Sequence, residues 1–391
     1  MDLPPLPSLC SVDSISPSFY NAALVCKAKA AWQRFGNRES IPVSTGAILG
    51  SCFHAIMEMG NRGRFGQGRA DSEQAKTAFD EAARRLFSAT HPLVRLKFSS
   101  PEKIPFYFQK RARAVALAIK ASAAISARGL AASLQSGGAS QTSIRSPSRI
   151  VEQRLQSQDG TIVGRLDLLD RDNATVIDYK SEHAPKETVS GLTESETHQL
   201  RLYAYLAREN GDTPTHAAIV RGDGSEAQIE VSADDANHEA QLAKALREEF
   251  NQAVAAGRSF ADLAIPSSAN CRGCPCIPFC EPFWNAALPE WELTCGTNAE
   301  GEVIECRDAN LAGTSLKTIA IDCSHGSAPR GTLTVEQIPL QWLRLGSFVP
   351  TVGSNVRIVL ATRPAGDPLQ KVLRVDRIKS TTIWNTRGRS G

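Results

Sequence analysis

The sequence lacks a large net charge, a long apolar run and an export signal, each of which would indicate a class of protein. Basic and acidic residues nearly cancel (44 Lys and Arg against 41 Asp and Glu), so any surface for a charged partner must be a local patch. The most apolar helix-like stretch, residues 112–130, is interrupted by Arg113, Lys120 and Arg128, which disfavours a membrane span. The N-terminus has neither a basic start nor an apolar run, and we therefore expect a cytoplasmic protein.

Length and composition indicate a globular protein with two domains. The chain has 391 residues, is 42% hydrophobic and 22% charged, and exceeds what one core usually organises. Residues 1–130 have helical patterns, residues 149–257 mix strands with helices, and the chain after Pro289 is almost entirely strand-like. We predict an α/β domain over residues 1–289 and a small β-barrel or sandwich, possibly OB-like, over residues 290–391.

Start signals and periodicity place the individual elements. Ser16-Pro17 and Ser44-Thr45 are typical helix starts, and Asp71 is a candidate cap. The predicted helices span residues 16–35, 44–58, 71–87, 103–128, 194–210 and 233–257. The predicted strands before the second domain span residues 149–156, 161–171, 174–182, 216–224 and 226–232, and residues 133–148 are expected to form a loop.

Two carboxylates and a lysine fall on neighbouring strands. Asp167 lies in one predicted strand, and Asp178 and Lys180 lie in the next, after a short turn. Residues two apart on a strand share a face, so Asp178 and Lys180 project together, and the hairpin can bring Asp167 beside Asp178. Close carboxylates repel unless a cation such as Mg²⁺ or Mn²⁺ compensates. The pattern predicts a metal centre; an ordinary hairpin with exposed charges is the alternative.

The chain has ten cysteines, and four of them are clustered in the sequence. Disulfides are disfavoured in the cytoplasm, so clustered cysteines indicate metal ligands first. Four of them fall in CRGCPCIPFC, at Cys271, Cys274, Cys276 and Cys280. Thiolates at this spacing suit a structural Zn²⁺ or an iron–sulfur cluster, and cysteines without metal are a third reading. Five further cysteines show no such spacing, and we expect them to act as small apolar side chains: Cys10, Cys52, Cys295, Cys306 and Cys323.

Four ordered motifs carry a family resemblance. Residues 50–58, GSCFHAIME, resemble a helical G-x-x-x-H-x-x-x-E motif, and residues 199–203, QLRLY, resemble a Q-x-x-x-Y helix. Between them stand the strands with Asp167 and with Asp178-x-Lys180, preceded by Glu152 at the start of the first strand. In this order, over about residues 16–285, the motifs resemble the RecB-like branch of the PD-(D/E)XK nucleases.

The resemblance implies a fold and a chemistry. It implies a mixed sheet flanked by helices and metal-dependent hydrolysis of DNA phosphodiester bonds. The implied metal ligands, to Mg²⁺ or Mn²⁺, are His54, Asp167, Asp178 and the backbone carbonyl of Tyr179. Lys180 would position the nucleophilic water, Gln199 and Tyr203 would orient substrate, and Glu152 belongs to the same catalytic set.

The resemblance also implies a cofactor for the cysteines. In AddB-type subunits of helicase–nucleases and in CRISPR-associated exonucleases, one cysteine precedes the His motif and three follow the nuclease core as C-x2-C-x5-C. Cys26 occupies the first place here, which implies a 4Fe–4S cluster on Cys26, Cys271, Cys274 and Cys280. The cluster would act as a structural staple, and Cys276 would be a free thiol or a substitute ligand.

Substrate and partners follow from the same resemblance. Relatives commonly act as exonucleases on single strands or DNA ends in repair, recombination, CRISPR adaptation or antiviral defence, so DNA and a helicase or defence-system partner are expected. The candidate phosphate contacts are basic side chains, namely Arg62, Arg64, Lys110, Arg111 and Arg113.

The basic segment from Lys371, with Trp384 inside it, fits single-strand binding or a polar tail. Two rival functions are an idle DNA-binding scaffold that serves a helicase and a zinc-binding interaction protein.

Overall fold

The computed structural model describes residues 1–66, 68–135, 148–182, 191–311, 313–345, 348–363, 371–375 and 381–386. Two sheets organise these residues, one of five strands and one of six. No helix within these ranges is long and apolar enough to cross a membrane. Most of the loop predicted over residues 133–148 lies outside the described residues.

The described α-helices lie mainly before residue 256. They are α1 (Pro17–Val25), α2 (Lys27–Phe35), α3 (Thr45–Asn61), α4 (Arg69–Ser88), α5 (Pro92–Lys97), α6 (Tyr107–Gln135), α7 (Glu194–Glu209), α8 (Ala233–Ala255), α9 (Glu281–Ala286), α10 (Glu292–Cys295) and α11 (Leu340–Leu345). The strands of the first sheet are β1 (Arg149–Gln156), β2 (Val163–Asp170), β3 (Thr175–Lys180), β4 (His216–Arg221) and β5 (Glu226–Glu230). Those of the second are β6 (Thr297–Leu311), β7 (Thr314–Gly326), β8 (Gly331–Pro339), β9 (Asn355–Ala361), β10 (Val372–Arg374) and β11 (Thr382–Asn385).

The first sheet is mixed and carries helices on both faces. Its order is β1-β2-β3-β4-β5, with β3 and β4 parallel and the other neighbours antiparallel. A parallel pair needs a crossover connection, and α7 supplies it between β3 and β4. Helices α1, α7 and α8 pack in one apolar cluster, and α3, α4 and α6 pack in another on the opposite side. The predicted mixed α/β core is therefore confirmed.

The structure interrupts the first predicted helix at one residue, Cys26. Instead of one helix over residues 16–35, α1 and α2 are separated by Cys26, whose backbone is extended (φ −163°, ψ 114°). The Ala28 N–H then donates to the carbonyl of Leu263, 3.1 Å away, which lies just before the cysteine motif. Neither Gly nor Pro marks this break, so helical periodicity runs straight through it.

Two helix starts also differ from the prediction. Asp71 is not the cap of α4 but lies in its first turn, where its carboxylate accepts from the N–H of Gly68 at 3.0 Å. Helix α6 begins at Tyr107 and not at Lys103, because Phe106 has a left-handed backbone (φ 66°) that no helix accommodates.

The second sheet curls towards closure. Its order is β10-β8-β7-β6-β9-β11, and only the β10–β8 pair is parallel. A further bridge joins Thr362, just after β9, to Arg374 at the end of β10, with N–H···O distances of 2.9 and 2.7 Å. Strands β6 to β10 therefore form a ring. The short helix α11 between β8 and β9 was not predicted from the strand-like pattern.

A buried arginine attaches this second sheet to the cysteine motif. Arg357 on β9 is 2% exposed. Its guanidinium donates to the carbonyl of Pro278 at 3.1 Å and to the carboxylates of Glu281 at 2.7 Å and Glu300 at 3.0 Å. A charge buried this deeply needs such partners, so the contact fixes β9 against the loop that carries the cysteines.

Candidate active site

Three carboxylates lie in a row across the first three strands. Strand β2 pairs with β3 so that Leu168 is opposite Ile177, and just beyond this pair the Tyr179 N–H donates to Asp167 Oδ2 at 2.8 Å, which places Asp167 next to Asp178. In β1 the two neighbours of Glu152, Val151 and Gln153, pair with the two neighbours of Asp167, so Glu152 lies beside Asp167. The hairpin geometry expected from the sequence thus brings Asp167 and Asp178 together, and it adds Glu152 to them.

Glu152 has an unusual backbone. It has φ 54°, a left-handed conformation that costs a non-glycine residue roughly 1–2 kcal/mol. Its carboxylate pairs with Arg165 at 2.7 Å. Burial and the neighbouring charge of Asp167 raise the pKa of Glu152, against the opposing charge of Arg165. A strained acid facing a second acid marks a site that the fold does not need for its own stability.

His54 completes the group from helix α3. Its Nδ1 lies 3.4 Å from Asp167 Oδ2. One ligand atom each from His54, Glu152 and Asp167 all lie within 4.8 Å of one another. Burial lowers the pKa of His54, but the hydrogen bond and charge of Asp167, with the charges of Asp178 and Glu152, outweigh burial and raise it. Sequence reasoning placed His54 and Asp167 in the metal site but did not make Glu152 a ligand.

Asp178 and Lys180 form the second half of the centre. Lys180 Nζ lies 2.8 Å from Asp178 Oδ2 and donates to Gln199 Oε1 at 3.0 Å. Gln199 Nε2 in turn donates to Asp178 Oδ1 at 2.8 Å. The amide of Gln199 therefore bridges the acid and the lysine, and fixes the position of both side chains.

The environment of Asp178 fits a cation. The residue is 2% exposed, and its Oδ2 lies 2.8 Å from the ammonium of Lys180. Burial raises the pKa of Asp178 to about 6; the charge of Lys180 opposes this rise and that of Asp167 adds to it. Carboxylate oxygens and an imidazole nitrogen are ligands that suit Mn²⁺ and, for the oxygens, Mg²⁺.

Helix α7 brings Gln199 and Tyr203 to the sheet because β2 contains a glycine at the contact. A Cβ at Gly164 would lie 2.8 Å from Leu206 Cδ1 and 3.0 Å from Tyr203 Cε1, so a larger residue would push the helix away. The Tyr203 hydroxyl lies 3.3 Å from Gln199 Nε2. Both predicted substrate-orienting residues thus lie at the centre.

Tyr179 takes part through its backbone. Its N–H donates to Asp167 Oδ2 at 2.8 Å. Its side chain points to the opposite face of the sheet, where its hydroxyl bonds with the amide of Asn61 at 3.0 Å. The proposed role of the Tyr179 carbonyl as a metal ligand stays a prediction.

The cysteines of the motif gather around Cys26. One small cavity is lined by Cys26, Cys271, Cys274, Cys276 and Cys280. The extended backbone at Cys26 ends α1 at this point, so the break in the first helix places that thiol at the cavity. Among the described residues, only the His54 group has three potential ligand atoms within 4.8 Å of one another. The cavity nevertheless gathers the four predicted ligands together with Cys276.

Two thiols outside the predicted ligand set lie close by. Cys276, 2% exposed, donates a hydrogen bond to Cys274 and thereby lowers the pKa of Cys274 to about 7. Cys295 interacts electrostatically with Cys271 and Cys274, and its Sγ donates to the carbonyl of Ser268 at 3.1 Å. Spacing alone could not have found Cys295, because it follows α9 and lies outside the motif.

The predicted DNA contacts differ in availability. Arg64 is exposed, whereas Arg62 pairs with Glu58 at 2.9 Å. Lys110 and Arg113 lie near each other in the first turns of α6. Arg111 pairs with Asp80 at 2.7 Å, which makes it the least free of these side chains.

The predicted single-strand surface at Trp384 is wrong. Trp384 is 1% exposed, and its Nε1 donates to Thr382 Oγ1 at 2.7 Å, so its ring cannot stack on a base. Arg374 pairs with Glu336 at 3.3 Å, and Lys371 is exposed. The other basic residues of that segment, Arg377, Lys379, Arg387 and Arg389, lie outside the described residues.

A mixed sheet that presents adjacent acids, an Asp-x-Lys strand and a helical histidine defines a class of metal-dependent phosphodiesterases. Comparison with protein families matches residues 14–281 to the PD-(D/E)XK nuclease superfamily. Because the match covers more than half of the chain, the protein belongs to that superfamily, which indicates a metal-dependent nuclease. Comparison with curated proteins gave no match.

Proposed function

We propose that the protein hydrolyses phosphodiester bonds of DNA at the centre formed by His54, Glu152, Asp167 and Asp178. The observation that carries the proposal is the convergence of these side chains next to Lys180. Three acids so close together repel one another, and one lysine offsets only part of their charge. A divalent cation held there would supply Lewis-acid chemistry and offset the charge that develops on the phosphate.

The residues of this chain then have distinct roles. His54, Glu152 and Asp167 would hold the cation from one side, with Asp178 and the Tyr179 carbonyl from the other. Lys180 Nζ would hold the attacking water in line with the phosphate and stabilise its added negative charge. Gln199 keeps the ammonium of Lys180 and the carboxylate of Asp178 in place, and the Tyr203 hydroxyl supports Gln199.

We further propose that the protein is an exonuclease on single strands or DNA ends. The order and content of its motifs, which resemble the RecB-like branch, support this proposal. The same resemblance supports a pathway in repair, recombination or defence against foreign DNA, with a helicase or defence-system partner.

For the cysteines we propose a 4Fe–4S cluster on Cys26, Cys271, Cys274 and Cys280. The place of Cys26 before the His motif and the C-x2-C-x5-C spacing after the nuclease core support this proposal. The cavity that these four thiols line with Cys276 also supports a bound group there. Iron and zinc analysis of the purified protein distinguishes the cluster from a structural Zn²⁺.

We also propose two structural units, residues 1–289 and 290–391, of which the second is an OB-like barrel. The ring of β6 to β10, the parallel β8–β10 pair and the helix between β8 and β9 support an OB-like order of strands. On its outer face the exposed acids Glu302 and Asp322 pair directly across β6 and β7. Phosphates would be repelled there, which supports a structural role for the barrel.

An end-labelled DNA assay tests the nuclease proposal. Purified protein, kept anaerobic, is incubated with single- and double-stranded DNA in Mg²⁺, Mn²⁺ or EDTA. We expect metal-dependent cleavage that Asp178→Ala and Lys180→Ala abolish while DNA binding remains. Asp170→Asn is the control, because Asp170 is a buried acid of β2 that pairs with Arg149 outside the centre. Cleavage that survives both centre substitutions contradicts the assignment, and binding without cleavage by the native protein supports the idle scaffold.

A further inference from the structure

Two phenylalanine rings project from the surface where helix α6 begins. Phe106 is 68% exposed and Phe108 is 57% exposed, whereas Tyr107 between them is 1% exposed. Single exposed apolar residues are ordinary, but paired exposed aromatic rings in a basic segment, FYFQKRAR, need a reason. The predicted phosphate contacts include Lys110, Arg111 and Arg113 of this segment but none of its rings.

The backbone at Phe106 indicates that the ring is not retained for folding. Its φ of 66° lies in the left-handed region, which a bulky residue rarely occupies and a glycine occupies freely. The ring itself is mostly in solvent and contributes little to the core. A residue that strains the backbone and stays exposed is a candidate for binding.

The Phe108 ring stands on a rigid base. Asp80 of α4 accepts from the Tyr107 hydroxyl at 2.6 Å and pairs with Arg111 at 2.7 Å. The Arg111 guanidinium lies 5.2 Å from the centre of the Phe108 ring, so it both orients that ring and adds positive charge beside it. This arrangement holds an aromatic surface and a cation together before any ligand arrives.

The start of helix α6 lies near the end of the strand that carries Lys180. Lys110 interacts electrostatically with Glu182, which follows Lys180 by two residues. Lys110 forms no ion pair within the described part of the chain, so its ammonium is available to a phosphate. A DNA strand that leaves the centre past Glu182 would therefore meet Lys110, whose N–H donates to the carbonyl of Phe106 one turn earlier.

We propose that Phe106 and Phe108 form a stacking platform for unpaired bases, with Lys110 on the adjoining phosphate, and that this platform selects single-stranded substrate. The inference rests on the proposed nuclease function and assigns particular residues to its proposed preference for single strands. Aromatic faces bind any base, but the bases of a duplex are already stacked and paired, so only a single strand can use them. In the described part of the barrel, Trp384 is buried, and the exposed acids Glu302 and Asp322 pair across β6 and β7.

Fluorescence anisotropy with 5′-labelled oligo(dT), without added divalent metal, tests the platform. We expect Phe106→Gly and Phe108→Ala each to weaken binding roughly fivefold or more, and the double variant to weaken it further. Affinity for a duplex, or for an oligonucleotide of equal length with abasic sites, should change less than about twofold, because no base stacks there. Phe108→Trp should retain affinity and Phe108→Leu should not. Leu293→Ala, at a residue 97% exposed elsewhere, is the control.

Thermal unfolding separates binding from folding. Phe106→Gly should unfold at the same or a higher temperature, because glycine removes the backbone strain. If the native protein cleaves DNA while the phenylalanine variants bind oligo(dT) as tightly as it does, the platform is overturned alone, and a protein partner becomes the better occupant of the rings. If the native protein binds neither single-stranded nor duplex DNA, the platform and the proposed function are both overturned.

Discussion

The carboxylate centre and the cysteine cavity collect reactive side chains in opposite ways. The carboxylates lie at adjacent positions of three paired strands, with His54 and Gln199 contributed by helices that pack on the sheet. The cysteines lie in a break between two helices and in a segment after α8 that has only short helical turns. Backbone pairing holds the first centre, whereas a bound group would have to hold the second.

This difference predicts opposite responses to the loss of each centre. The sheet brings acids together against their repulsion, so the fold tolerates the centre at a cost in stability. The cysteine cavity joins the start of the chain to the segment at residue 271, and a ligand there would add its binding energy to the folded state. Removing an acid should therefore stabilise the protein, and removing a cysteine should destabilise it.

The largest expected effect is that of Asp178→Asn on cleavage. We expect the cleavage rate to fall by about a hundredfold to a thousandfold, because a charge that acts on the reacting phosphate is lost. Without added metal at pH 8, the variant should be more stable than the native protein by about 1–3 kcal/mol, since a buried charge has been removed. Urea denaturation measures this difference, and a less stable variant would break the comparison.

Cys274→Ala tests the cysteine cavity. We expect a colourless protein that unfolds roughly 5–15 °C lower, because the joined segments are released. Cys323→Ala is the control, since Cys323 is a buried thiol that lies in β7, outside the motif. Visible absorption, iron and zinc analysis and thermal unfolding give the readouts. A stable, coloured and fully active Cys274→Ala protein would disprove the staple.

The pH dependence of stability and of cleavage tests the role of Asp178 in the carboxylate centre. Since burial raises the pKa of Asp178 from 3.8 to about 6, the folded protein binds a proton more tightly than the unfolded chain does. Its contribution to stability is therefore lost as the pH rises from about 4 through 6, and added Mn²⁺ should restore it. Cleavage should instead fall as the pH drops below about 6. A cleavage rate that stays constant from pH 5 to pH 8 would argue against an ionised Asp178 in the reaction.

The smallest expected effect is that of Tyr203→Phe. The ring still packs on Gly164, and only the hydroxyl next to Gln199 is lost. We expect a two- to tenfold lower cleavage rate, the size of one net hydrogen bond, with unchanged stability. A loss as large as that of Asp178→Asn would mean that Tyr203 contacts the reacting atoms directly.

Local rules explain which parts of the structure were predictable. Strand alternation and a short turn were enough to bring Asp167, Asp178 and Lys180 together, because antiparallel register follows from the hairpin. The left-handed backbones at Glu152 and Phe106 had no signal, since neither residue is a glycine. The helix break at Cys26 comes from a long-range contact with Leu263, which periodicity cannot register.

Burial was the other unpredictable quantity. Trp384 looked like a surface aromatic in a basic tail, but its strand pairs with β9 and buries the ring in the larger core. The exposure of Phe106 and Phe108 had no sequence signal either, because the helix begins between them and leaves both rings outside the core. In both cases the tertiary position of a short segment decided whether the aromatic rings are buried or exposed.

Calorimetric titration with Mn²⁺ tests the central claim most directly, because it measures the cation site without depending on substrate. We expect the native protein and Asp170→Asn to bind Mn²⁺ alike and Asp167→Asn to bind at least about tenfold more weakly, since Asp167, unlike Asp170, lies within ligand distance of His54 and Glu152. Equal Mn²⁺ affinity for the native protein and Asp167→Asn would contradict the account.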